Sequence, residues 1–148
     1  MPSHEKHRTQ AEHNAEMLRF IGARNGQTPF SDWYVTVAFY AALHLFEAML
    51  SAVKPTVTID RPNMKVKAED SSSLCEFYRS HSEHHVRKLI MTSSKKFDRL
   101  YRPYTRLYDM SRVARYKCYA SNSHDWIQAE LLLDDVKKEC ETLIRNKK

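Results

Sequence analysis

Apolar residues recur at helical rather than alternating spacing along most of this chain. Between about His4 and Arg24, Ala11, Ala15, Leu18 and Ile21 or Gly22 fall on one stripe among charged residues, and "RNGQTP" supplies a stop. A second helix is predicted from Trp33 to about Val53, with Ser31 or Asp32 as its N-cap and Pro55 beyond its end. It is apolar nearly all round, so it belongs at the buried centre of a bundle. The next segment, "KPTVTIDRPNMKVKAEDSSS", carries two prolines and no helical period. It reads as a flexible loop over residues 54–71 or as a short marginal hairpin.

A third helix is expected to start near Ser72 or Ser73 and to run through "YRSHSEHHVRK" to about Met91, anchored by Leu74, Phe77, Tyr78 and Leu89. Pro103 interrupts "KKFDRLYRPYTRLYDMSRVARY" and predicts a kinked or two-part fourth helix. Its second part repeats Tyr104, Leu107, Tyr108, Ser111, Ala114 and Arg115 at spacings of three and four, a small-residue stripe suited to close packing. In the last helix Ser123 is the expected cap, and Trp126, Ala129, Leu132, Leu133, Val136, Cys140, Leu143 and Ile144 form the seam.

Composition sharpens this picture to an all-α fold in one domain, residues 1–148. Only two glycines occur in 148 residues, too few for the turns and bulges of a β-rich fold. Cys75, Cys118 and Cys140 are odd in number and widely spaced, without a CxxC pair, and read as reduced thiols in a cytoplasmic protein. The opening "MPSHEKHRTQ" is polar and unlike a signal peptide. "WYVTVAFYAALHLFEAML" has the length of a membrane span, but His44 and Glu47 within it argue for a core helix and no membrane. The formal charge of +6 favours encounter with an anionic partner such as RNA or a nucleotide, without conferring selectivity.

Taken together and in order, "AEHNAEMLRF", "SDWYVTVAFYAALHLFEAML", "SHSEHHVRK" and "YTRLYDMSRVARY" resemble a family of small prokaryotic HEPN-like helical proteins, over roughly residues 11 to 144. The resemblance implies a four- to five-helix bundle, often a symmetric homodimer. Its superfamily includes metal-independent ribonucleases and toxins of toxin-antitoxin and defence systems, as well as non-catalytic nucleotide- or RNA-binding members, and the chain itself reads alternatively as a protein-binding module or a structural subunit of a defence or regulatory assembly. Catalytic members carry an arginine, four to six residues, then a histidine. Arg79 with His84 or His85 meets that spacing in the third predicted helix, and no metal or other cofactor is implied.

Metal-independent RNA cleavage needs a base for the 2′-hydroxyl, an acid for the leaving oxygen, and positive charge at the phosphate. Arg79 would stabilise phosphate and His84 or His85 would handle the proton. On one continuous helix Arg79 lies about 140° from His84 and about 120° from His85 in the other sense, so the site would close from two directions or across a dimer axis. Two other readings compete. His81 and His85, an i, i+4 pair with His84 and Glu83 nearby, have metal-ligand spacing, and the same histidines with Arg87 and Lys88 form an ordinary solvated helix face.

Elsewhere, Lys95, Lys96, Arg99, Arg102 and Arg106 interleave with Phe97, Tyr101 and Tyr104, either as an RNA-facing strip or as core aromatics with a solvated basic back. Arg112, Arg115 and Tyr116 have the chemistry to contact phosphate and stack on a base, or to form a structural salt bridge or packing pair. His44 is expected as a core histidine supported by Tyr108, Ser111 or Asn14.

Overall fold

The computed structural model describes residues 4–22, 30–59, 64–78, 82–116 and 125–147. Six α-helices occur among them: α1 (His4–Gly22), α2 (Ser31–Val53), α3 (Ser71–Leu74), α4 (Glu83–Thr92), α5 (Asp98–Tyr116) and α6 (Trp126–Arg145). A hairpin of β1 (Thr56–Ile59) and β2 (Met64–Lys67) lies between α2 and α3, and a 3-10 turn (Lys95–Phe97) precedes α5. The protein is mostly helical, and α3 is a single turn.

The all-round apolar helix is central, as its composition requires: α2 packs against α1, α5 and α6. Val35, Ala38, Ala42, Phe46, Met49 and Leu50 are fully enclosed. It is long and apolar enough to cross a membrane by length and composition, yet most of it is covered by the rest of the fold. Neither Ser31 nor Asp32 caps it. Phe30 holds the N-cap position without a side-chain bond, while Thr36 donates its hydroxyl to the Asp32 carbonyl at 2.8 Å. At the far end Lys54 turns left-handed, at φ 47°, and donates its N–H to the Leu50 carbonyl, and Pro55 follows.

Within residues 54–71, Thr56–Ile59 and Met64–Lys67 adopt the hairpin alternative. β1 and β2 pair antiparallel with Thr56 opposite Lys67 and Ile59 opposite Met64. Val57 and Ala68 are buried in the common core, which gives this polar segment its anchor.

The third predicted helix is not continuous. α3 ends at Leu74, and Ser82, extended at φ −115° and ψ 108°, starts α4 by accepting the His85 backbone N–H on its hydroxyl. A serine that satisfies an orphan N–H favours a new helix start over passage through one. The predicted fourth helix is one helix and not two. α5 runs unbroken through Pro103, whose missing N–H removes one bond near the helix start while its ring is buried. α6 is capped by Asp125, whose carboxylate accepts from Gln128 N–H at 2.8 Å. Ser123, the expected cap, lies outside the described residues.

Candidate functional site

One relationship between buried charges sets the position of α4. Arg87 donates from Nε to Glu47 Oε1 at 2.7 Å and from Nη2 to Glu83 Oε2 at 2.7 Å. Glu47 uses its second oxygen to accept the Ser71 backbone N–H at 3.0 Å. The Arg87 and Glu47 side chains are 6% and 5% exposed, so the pair lies within the core and ties α2, α3 and α4 together. Arg87 is therefore not part of a solvated face. The signal was present in the sequence, since a glutamate inside an apolar helix requires a buried partner.

One turn before Arg87, the same helix presents His84 to α5. Its ring lies against that of Tyr108, with centroids 3.2 Å apart and planes 16° from parallel. Tyr104 lies behind it, 6.5 Å away and nearly parallel, while Phe39 meets Tyr108 edge-on at 5.2 Å. Both ring nitrogens of His84 are covered and have no hydrogen-bond partner among the described residues. Burial, reinforced by Lys88, Arg87, Arg112 and His85, pushes its pKa down to about 4. The imidazole is thus neutral at pH 7.

Around this stack opens a cleft of ≈ 770 Å³ lined by Phe39, Tyr40, Leu43, His84, Arg87, Tyr108, Arg112, Arg115 and Tyr116. Its cations sit on its rings. The Arg112 guanidinium and Lys88 ammonium are each 5.9 Å from the Tyr108 centroid. Arg115 lies 5.9 Å from the Tyr40 ring and 5.4 Å from the Tyr116 ring, and donates to the Tyr40 hydroxyl at 3.4 Å. Lys88, Arg112 and Arg115 form no salt bridge among the described residues. Tyr116 is 75% exposed and Tyr40 41% exposed, so the rim offers open aromatic faces.

The sequence-based candidates divide among several places. His84, Arg112, Arg115 and Tyr116 come together in the cleft with Tyr108, which was expected only as support for His44. His85 is exposed and outside it. Arg79 and His81 lie outside the described residues, and the angles drawn from Arg79 along one helix do not apply because α4 starts after Ser82. His44 meets His7, Nδ1 to Nδ1 at 3.1 Å, instead of Tyr108, Ser111 or Asn14. Burial and His7 lower its pKa. Ser111 bonds the Tyr108 carbonyl, and Asn14 accepts from Gln10. Lys95, Lys96, Arg99, Arg102 and Arg106 are exposed, whereas Phe97 and Tyr104 of the same run are core.

Tyr40, Phe39 and Lys88 were missed. Tyr40 falls seven residues after the exposed Trp33, on the same face of α2, a spacing that marks an outward stripe even on an apolar helix. Among the described residues no three His, Cys, Asp or Glu side chains converge to hold a metal ion. Cys75 and Cys140 are free thiols. No family model, curated protein or solved structure matches the chain.

Proposed function

We propose that the protein is a HEPN-like bundle that binds RNA in the cleft between α2, α4 and α5. The observation that carries this reading is the convergence of Lys88, Arg112 and Arg115, free of salt bridges among the described residues, on the rings of Tyr108, Tyr40 and Tyr116. Cations supply attraction to phosphate, and open aromatic faces supply stacking for unpaired bases, about 1–3 kcal/mol per base. An acidic protein segment would use the cations but not the rim tyrosines in this way. Binding measured by anisotropy of a labelled single-stranded RNA tests the reading. Affinity falls steeply as salt rises if phosphates are the contact, and flat affinity argues against it.

His84 favours a second, catalytic reading of the same cleft: metal-independent cleavage of the bound RNA. A neutral imidazole beside Arg112 has the protonation state of a base toward a 2′-hydroxyl, provided the ring turns away from Tyr108 to uncover a nitrogen. In this reading Arg79 completes the phosphate contact, and a homodimer is the assembly that brings two such sites together. Incubation with labelled RNA in EDTA separates the readings: cleavage that His84→Ala abolishes supports catalysis, and binding without cleavage leaves a binding module.

A further inference from the structure

A second basic depression lies at the other end of α5. A groove of ≈ 640 Å³ between the 3-10 turn, the start of α5 and the end of α6 is lined by Lys54, Lys95, Lys96, Arg99 and Lys147, and Glu139 is the carboxylate among its lining residues. Lys54 is engaged by Glu69 at 3.0 Å and Lys147 by the Ala52 carbonyl at 3.3 Å. Lys95, Lys96 and Arg99 are exposed and form no salt bridge among the described residues. Three like charges gathered in a concave surface repel one another, a cost that an anionic ligand removes.

α5 joins this groove to the aromatic cleft. Arg99 stands in the groove and Arg115 in the cleft, sixteen helical residues later, or about 24 Å at ~1.5 Å per residue. Between them Arg102 and Arg106 are exposed. At ~100° per residue, Arg99, Arg106 and Arg102 fall within about 60° of one another, and Arg112 lies about 80° further round, on the side that faces α4. Arg115 lies about 60° beyond Arg112, so from groove to cleft the arginines wind roughly half a turn round the helix, and Asp109, which falls between Arg102 and Arg112 on that path, is the one carboxylate on α5 between the two ends.

We propose that the ligand is one RNA single strand long enough to occupy both places, about four to eight nucleotides, with bases stacked at the tyrosine rim and its backbone running along α5 into the groove. This rests on RNA binding at the cleft and specifies what kind of RNA. A duplex keeps its bases stacked on each other and cannot offer them to Tyr40 and Tyr116, so the single strand is the form that uses both sets of contacts.

The test compares labelled oligouridylates of two and eight nucleotides and an eight-base-pair RNA duplex, with wild-type protein, with Lys95→Ala/Lys96→Ala/Arg99→Ala, and with Arg112→Ala. Circular dichroism checks folding, and all three groove side chains are exposed. The expected result is an eight-nucleotide strand bound about tenfold or more tighter than the dinucleotide, because several further phosphates are engaged. The groove variant loses that advantage and lowers the salt slope by about 2, at ~0.7 per phosphate contact, with dinucleotide affinity unchanged. Equal affinity for the two lengths, a groove variant that binds the longer strand like wild type, or a duplex bound as tightly as the strand overturns the proposal. Arg112→Ala weakens both lengths if the cleft is the site. A dinucleotide that ignores Arg112→Ala, or no RNA binding by wild type, instead removes the cleft reading on which the proposal rests.

Discussion

His84 lies flat against Tyr108 with ring centroids 3.2 Å apart, and neither of its nitrogens has a hydrogen-bond partner among the described residues. A histidine so placed reports on the cleft through its proton. The unfolded imidazole takes up a proton near pH 6.5, whereas the folded one waits until about pH 4. Across that interval the unfolded state binds more protons, so the contribution of His84 to stability is full above pH 7 and falls as pH drops toward 4. His44, also lowered, acts in the same direction.

Thermal melts at pH 7.5, 6.5 and 5.5 should therefore show a falling Tm, and His84→Phe should flatten the decline without abolishing it, since His44 remains. A variant whose Tm falls as steeply as the wild type would mean that His84 titrates normally in the fold.

The Glu47–Arg87 pair gives the second expectation. Removing one partner leaves the other charge uncompensated in the core, so Arg87→Met should destabilise by about 3–5 kcal/mol, whereas Glu47→Gln with Arg87→Met should cost less than the sum of the two single changes. Urea denaturation of the four proteins in that cycle measures the coupling. Additive losses would show that the pair does not hold α2 to α4.

At the head of α6, Asp125→Ala removes the acceptor for Gln128 N–H. The expected loss is about 0.5–2 kcal/mol in urea melts, the usual range for an N-cap. Unchanged stability would displace Asp125 from that role.

The long helices were legible because their apolar stripes bury one face each: Leu132, Val136 and Cys140 of α6 all lie in the core. Helix starts were less so, because several polar residues stand near each one and only three-dimensional hydrogen bonding chooses among them, as with Ser82 and Asp125. Pro103 stands at the sixth position of α5, where its missing N–H forfeits the bond to the Arg99 carbonyl, yet the helix continues past it with the ring buried. The cleft was half legible. Arg112, Arg115 and Tyr116 are adjacent in sequence, but the approach of Tyr40 and of His84 to α5 depends on the packing of α2 and α4, and the Glu47–Arg87 pair that orients α4 spans 40 residues.

If RNA is held at the cleft as proposed, the cations there, and not the overall positive charge, carry the affinity. The direct measurement is the affinity of an eight-nucleotide single-stranded RNA for Arg112→Ala/Arg115→Ala compared with Lys137→Ala/Lys138→Ala, two exposed lysines of α6 outside the cleft. Both variants lose two charges. The expected result is an affinity loss of about tenfold or more for the arginine pair and a loss within about threefold for the lysine pair at the same salt concentration. Equal losses, or none for the arginine pair in a folded protein, would contradict it.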